Sequence, residues 1–158
     1  MVAPVFSEAG DVQFYLPEGR WTHLWHNDEL QGSRWHKQQH DFLSLPVYVR
    51  DNTLLALGNN DRKPDYAWNE GTAFQLFNLA DGATAVSDVP AADGSVAFTL
   101  KASRQGDSIT ITGAGEARNW SVCLRNVHKV GSVKGGSHAG SEWGVVMKAE
   151  GNEVVVHL

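Results

Sequence analysis

The sequence VQFYLPEGRWTHLW, residues 12–25, places apolar side chains at every second position on both sides of a turn. Three residues alternate along its first half: Val12, Phe14 and Leu16. The residues Pro17-Glu18-Gly19 are typical of a turn, because they tolerate conformations that strands do not. Beyond the turn, Trp21, His23 and Trp25 share one face of the next run. A period of two is the signature of a strand with one buried face, so this stretch predicts β-structure.

The same pattern recurs along the rest of the chain in short runs bounded by Gly, Asp and Asn. It predicts six further strands: Ala73–Leu79, Ser95–Ala102, Ser108–Thr112, Trp120–Arg125, Gly144–Lys148 and Glu153–Leu158. The glycine-rich residues 131–141 are predicted to form a mobile loop. No segment sustains the apolar spacing of a helix. We therefore expect an all-β fold, β-sandwich-like, built as two successive small antiparallel β domains with little helix.

Charge and composition exclude several classes of partner. The formal net charge is −5, and the Lys and Arg residues are scattered, so nucleic acid is not expected as a partner. No apolar run approaches the roughly 18 residues of a membrane span. The single Cys123 rules out an internal disulfide, and we expect a cytoplasmic bacterial protein.

Histidine spacing raises the question of a metal site. His23 and His26 are three residues apart, and His36 and His40 are four apart, spacings at which imidazoles often bind zinc. On a continuous strand, however, residues 23 and 26 point to opposite faces. We therefore expect no metal site.

Catalytic groups are not evident either. Glycosidases use two carboxyl groups roughly 5 to 10 Å apart, but most carboxylates here fall in predicted turns or solvated stretches: Asp28, Glu29, Glu70, Asp81, Asp93 and Asp107. Cys123 lies within an apolar run, where it packs as a small side chain. The sequence predicts no catalytic, cofactor-binding or metal-binding residue.

Six tryptophans in so short a chain allow two interpretations. Trp21, Trp25 and Trp35 are interleaved with polar residues, a composition suited to stacking sugar rings. Tryptophans also commonly fill β cores and interfaces. Both interpretations remain open from composition alone.

Two stretches bear a resemblance to glycoside hydrolase family 31. The run Val2-Ala3-Pro4-Val5, then Gly10 and Phe14-Tyr15-Leu16-Pro17-Glu18-Gly19-Arg20-Trp21, is similar to the segment that follows the family's catalytic barrel. Leu45-Pro46-Val47-Tyr48-Val49-Arg50 is similar to a later strand of that region. From Gly71 to Leu158 the chain resembles the bacterial α-xylosidase branch.

This resemblance implies a parent enzyme that removes terminal α-linked xylose with retention, without metal or cofactor. Both catalytic aspartates of that family lie on a (β/α)₈ barrel upstream of Val2–Val5, so no residue here inherits their roles. We expect residues 1–60 to form part of the proximal C-terminal β domain and residues 66–158 the distal one, joined across the polar stretch near residues 58–65.

The expected function is therefore that of a non-catalytic structural fragment, since Met1 directly precedes the Val2–Val5 segment. Its expected partner is the parent's own barrel, and the isolated chain is expected to self-associate through an exposed docking face. The alternative is a carbohydrate-binding module that uses Trp21, Trp25 and Trp35.

Overall fold

The computed structural model describes the whole chain, residues 1–158, and contains fifteen β-strands and no helix. The all-β fold class is thereby confirmed. The strands form two compact units, residues 1–51 and residues 52–158, which we call the N-terminal and C-terminal units. The structure offers no helix long and apolar enough to cross a membrane.

The N-terminal unit contains five short strands: β1 (Asp11–Leu16), β2 (Arg20–His23), β3 (Glu29–Gln31), β4 (Arg34–Gln39) and β5 (Tyr48–Arg50). β1 pairs with β4, while β2 lies between β3 and β5. The alternation predicted for β1 is present, because Val12, Phe14 and Leu16 are buried and the residues between them are exposed. The unit has a small core of six buried residues, three of them from β1: Ala3, Val12, Phe14, Leu16, Trp21 and Tyr48.

The second predicted strand of this unit ends earlier than expected. β2 stops at His23, whose carbonyl oxygen accepts a hydrogen bond of 3.0 Å from the Asn27 amide. Asn27 itself has a φ of 65°, in the left-handed region that Asn tolerates. Leu24, Trp25 and His26 therefore lie in a turn and not on a strand.

The C-terminal unit contains ten strands: β6 (Thr53–Leu57), β7 (Ala73–Phe77), β8 (Thr84–Pro90), β9 (Val96–Gln105), β10 (Ser108–Gly115), β11 (Ser121–Arg125), β12 (Ser132–Lys134), β13 (Gly136–Ser141), β14 (Gly144–Ala149) and β15 (Glu153–His157). They form two five-stranded sheets, in the orders β12-β15-β10-β9-β8 and β13-β14-β11-β7-β6. All pairs are antiparallel except β7 with β11. Pro90 falls on the edge strand β8 at a register shift, where a missing amide proton is tolerated.

One core of eighteen buried residues draws on both five-stranded sheets. Phe98, Leu100 and Ile111 come from one sheet and Leu76 and Val122 from the other, each with at most 2 % exposure. Alternate residues of each strand thus point inward, as in a β-sandwich. The predicted sandwich-like architecture is confirmed for this unit.

One expectation needs revision. The prediction that residues 131–141 form a mobile loop is wrong, because they contain β12 and β13, joined at Gly135 with its φ of 79°. Strand β6, which falls within the predicted range 1–60, pairs with β7 and lies in the C-terminal unit. The compact units divide between Asp51 and Asn52, while the assignment of residues 1–60 and 66–158 to the proximal and distal family domains stays a proposal.

Candidate functional site

Two of the carboxylates predicted to fall in turns, Asp81 and Asp93, accept local hydrogen bonds. Asp93 accepts hydrogen bonds from the Ser95 hydroxyl at 2.7 Å and the Ser95 amide at 2.9 Å, and these bonds lower its pKa. Asp81 accepts one from the Gly106 amide at 2.7 Å. A general acid in a glycosidase needs a raised pKa, so Asp93 is unsuited to that role.

The four spaced histidines each have local partners. His23 and His26 stack with ring centroids 4.6 Å apart. The expectation that they point apart is wrong, because β2 ends at His23 and the turn brings His26 back. His36 contacts the Gln31 carbonyl at 3.0 Å, and His40 lies between Gln38 at 3.0 Å and Ser44 at 3.2 Å. Nowhere do three His, Cys, Asp or Glu side chains converge as a metal site requires.

The three tryptophans proposed as a sugar platform do not form one surface. Trp21 is buried in the small core, and its Nε1–H donates to the Pro17 carbonyl at 3.0 Å. Trp25 lies in the turn after β2 with 48 % of its surface exposed, and Trp35 lies on β4 with 69 % exposed. Trp35 instead packs edge-to-face on Tyr15, its partner across β1 and β4, at 5.8 Å.

Exposed apolar side chains are concentrated in the N-terminal unit. Eight of the eleven large exposed hydrophobic residues belong to its 51 residues: Met1, Val2, Phe6, Tyr15, Trp25, Trp35, Phe42 and Leu43. The relative exposures of Phe6, Phe42 and Leu43 are 92, 107 and 96 %. Exposed apolar surface is typical of sites of association, so residues 1–51 are the candidate for such a site.

The face of β7 and β11 that points away from the main core carries a cluster of polar side chains, and this cluster is also buried. The Arg125 guanidinium lies 5.0 Å from the Phe77 ring centroid and 4.8 Å from that of Trp143. It also donates to Gln75 Oε1 at 3.3 Å, and burial lowers its pKa. Burial raises the pKa of the neighbouring Cys123 thiol, which keeps it protonated and poorly nucleophilic. The cluster is therefore suited to packing rather than to catalysis.

A surface groove lies in the C-terminal unit, with a volume of about 540 Å³. We call it the Trp68 groove; its lining residues fall within 65–69, 90–92, 95–97 and 115–116. It contains two carboxylate residues, Asp65 and Glu116, beside the exposed Trp68. This site was not predicted from the sequence, in which the only signal is the pair of aromatic residues in Tyr66-Ala67-Trp68 directly after a polar stretch.

Two family descriptions together cover nearly the whole chain. The C-terminal domain of glycosyl hydrolase family 31 matches residues 1–55. The C-terminal domain of alpha-xylosidase YicI matches residues 67–158.

Individual relatives agree with these matches. The alpha-xylosidase XylQ of Lactiplantibacillus pentosus is 32 % identical over 85 residues, which are 52 % of this chain and 11 % of XylQ. An alpha-xylosidase of Emericella nidulans is 36 % identical over 73 residues, or 41 % of this chain and 9 % of that protein. The matched segments are thus about a tenth of these relatives' length.

The fold also recurs in solved structures. The family 31 dextranase FjDex31A of Flavobacterium johnsoniae, complexed with glucose, superposes with a TM-score of 0.79 at 16 % identity, covering 99 % of this chain and 25 % of the dextranase. The cycloalternan-forming enzyme of Listeria monocytogenes gives 0.78 at 14 % identity and covers 99 % of this chain and 18 % of that enzyme. At such identities the likeness concerns the fold alone.

Proposed function

The chain belongs to glycoside hydrolase family 31, of which it is a non-catalytic C-terminal region, and we propose that its N-terminal unit docks on the catalytic barrel of its parent enzyme. The observation that carries this proposal is the concentration of exposed apolar side chains in residues 1–51. Burial of apolar surface contributes about 25 cal/mol per Å² before the entropic cost of association. Covering this surface would therefore stabilise both partners.

For the parent enzyme we propose hydrolysis of terminal α-linked xylose with retention of configuration. Two relatives named as alpha-xylosidases and the YicI-type match over residues 67–158 support this choice. A further relative, alpha-glucosidase 2 of Bacillus thermoamyloliquefaciens, is 27 % identical over 95 residues and favours the neighbouring glucose specificity. In either case the two catalytic carboxylates belong to the barrel and not to this chain.

The proposed location of the parent is the bacterial cytoplasm. The one cysteine, Cys123, is buried and free, which fits a reducing compartment. Without its barrel, the chain is expected to self-associate through the same apolar surface.

Reconstitution tests the docking proposal. XylQ cut before the region that matches this chain would be co-expressed with the chain, and hydrolysis of p-nitrophenyl α-D-xyloside would be measured in the soluble fraction. We expect the chain alone to be inactive and the pair to recover activity. The double variant Phe42→Ser/Leu43→Ser should lower the recovered activity about tenfold, because it removes two exposed anchors of the interface.

The matched control is Val86→Ser, which removes an exposed apolar side chain from the C-terminal unit. It should reconstitute as well as the unmodified chain. If Phe42→Ser/Leu43→Ser also reconstitutes fully, the apolar surface of residues 1–51 is not the docking face.

A further inference from the structure

The Trp68 groove is held in shape by hydrogen bonds between its walls. The Glu116 amide donates to the Ala97 carbonyl at 2.9 Å, which joins the end of β10 to the start of β9. The Asn69 side-chain amide donates to the Glu116 carbonyl and so ties the 65–69 loop to the same strand. Because its walls are tied together, the groove is formed before any ligand enters it.

Two glycines leave room for this arrangement. A Cβ on Gly115 would come within 2.4 Å of the Ala97 carbonyl oxygen, and Gly115 has a φ of 102°. A Cβ on Gly58 would come within 1.7 Å of the Tyr66 hydroxyl. The close approach of Gly115 to Ala97 within the groove, and of Gly58 to the groove residue Tyr66, therefore depends on the absence of side chains at these two glycines.

The indole of Trp68 is oriented before binding. The indole Nε1–H donates to the Pro64 carbonyl at 3.1 Å. The backbone carbonyl of Trp68 accepts a hydrogen bond of 2.7 Å from the Thr72 hydroxyl. A ring whose edge is already hydrogen-bonded offers its face to a ligand at little entropic cost. Of the three large exposed hydrophobic residues in the C-terminal unit, Trp68 and Val96 both line this groove.

The polar groups of the groove select the class of ligand. No Lys, Arg or His lines it, so phosphates and carboxylates are disfavoured. Asp65 and Glu116 form no ion pair within the chain, which leaves both carboxylates able to accept hydrogen bonds from hydroxyls. The volume of about 540 Å³ lies within the range of roughly 300–1,000 Å³ usual for small-ligand sites.

We propose that the Trp68 groove binds a neutral saccharide, whose apolar ring face stacks on Trp68 while its hydroxyls bond to Asp65 and Glu116. An aromatic residue and two acceptor carboxylates that line one groove match the two surfaces of a pyranose ring, its apolar face and its hydroxyls. The site lies within the C-terminal unit and is independent of the apolar docking surface of residues 1–51. It would hold substrate chains near the parent enzyme without taking part in catalysis.

NMR titration of the whole 158-residue chain tests this proposal. The ¹⁵N-labelled chain would be titrated with xylosyl-α-1,6-glucose and, separately, with isomaltotriose and with choline chloride. We expect saturable shifts of the Trp68 indole and of backbone amides in residues 65–69, 95–97 and 115–116. Because the groove is open, the dissociation constant should be on the order of 1 mM.

Variants assign the shifts to the groove. Trp68→Ala should abolish saturation, and Glu116→Gln, an exposed change that leaves the fold intact, should weaken binding about tenfold because a charge-assisted hydrogen bond is lost. Trp35→Ala, which removes the most exposed tryptophan of the N-terminal unit, should bind like the unmodified chain.

Three outcomes overturn the proposal. They are the absence of shifts with both saccharides, shifts that persist unchanged in Trp68→Ala and Glu116→Gln, and saturation by choline alone, which would identify a cation site. Each of these results leaves the docking experiment unaffected, so the two proposals fail separately.

Discussion

His23 shows how one buried imidazole couples the N-terminal unit to pH. Its Nδ1 accepts hydrogen bonds of 3.2 Å from the amides of Trp25 and His26, so the neutral ring carries its proton on Nε2. Nε2 is buried without a partner of good hydrogen-bond geometry. Burial and the adjacent His26 lower the pKa of His23; His40 acts in the same direction, while the Leu45 carbonyl and Asp28 oppose the shift. Protonation of Nδ1 would also break both bonds to the turn.

We therefore expect the stability of the chain to fall in mild acid. The pKa of His23 is about 6.5 in the unfolded chain and lower in the folded one, so between these two values the unfolded state binds more protons. The stabilisation that the neutral ring provides is complete above about pH 6.5 and is lost as the pH falls through the folded pKa. Urea unfolding at several pH values between 5 and 8 would measure this slope.

The variant His23→Gln should flatten the slope whatever its effect on stability at neutral pH. His138→Gln, a change at an exposed histidine on β13, is the matched control and should leave the slope unchanged. Equal slopes in the unmodified chain and in His23→Gln would show that His23 does not control the acid response.

Trp21 and Trp35 mark the limit of prediction from sequence. Both are tryptophans next to Arg and a polar residue, yet one is buried and the other is 69 % exposed. The difference depends on which face of β2 and β4 meets the core, and this is fixed by pairing partners distant in sequence. The position of His26 was not predicted for a related reason. The rule that successive side chains alternate between two faces applies only within a strand, and β2 ends before His26.

β13 and β14 form a hairpin that contains two glycines, one with no space for a side chain and one with open space around it. A Cβ on Gly144 would lie 1.9 Å from the Leu124 carbonyl oxygen on the neighbouring β11, and Gly144 has a φ of 145°. A Cβ on Gly140, in β13, would meet nothing within 4 Å.

Gly144→Ala should therefore destabilise the chain by more than about 2 kcal/mol, because the sheet must shift to admit the methyl group. Gly140→Ala should change the free energy of unfolding by less than about 0.5 kcal/mol. Chemical unfolding of both variants would measure the difference. If the two cost the same, the close pairing of β14 with β11 at Gly144 is not as described.

Strands with strong alternation were predictable, and weak ones were not. β1 and β9 carry large apolar residues at every second position and lie where that pattern predicts them. β11 and β15 are short apolar runs bounded by polar residues, and they were also predicted. β13, with the sequence GSHAGS, has no such pattern and exists because its backbone pairs with β14. Edge strands of this kind depend on a neighbour's free hydrogen bonds, which local sequence does not encode.

The same reasoning explains why the Trp68 groove escaped sequence analysis. Its walls come from residues 65–69, 90–92, 95–97 and 115–116, which only the sheet order brings together. Turn chemistry accounts for each segment separately, so none of them indicates a site on its own. The family, in contrast, was predictable, because the motifs in residues 2–21 and 45–50 are contiguous in sequence.

The two units of the molecule differ in the size of their hydrophobic cores. The C-terminal unit buries eighteen hydrophobic residues in its main cluster, and the N-terminal unit buries six. A single small core below roughly 70–80 residues rarely supplies more than about 3–5 kcal/mol. The core of the C-terminal unit is therefore large enough for that unit to fold alone, whereas the core of the N-terminal unit is not.

We expect residues 52–158, expressed alone, to unfold cooperatively in urea with a free energy of about 5–15 kcal/mol, as usual for a domain of this size. Residues 1–51 expressed alone should show no cooperative transition, because their small core does not offset the entropy of ordering the chain. Trp120, buried in the larger core, reports unfolding of the first fragment by fluorescence, and Trp21 reports that of the second.

A cooperative transition in residues 1–51 would mean that this unit needs no partner to fold, and its exposed apolar surface would then serve association alone. If residues 52–158 instead failed to unfold cooperatively, the sandwich would depend on the N-terminal unit despite its larger core.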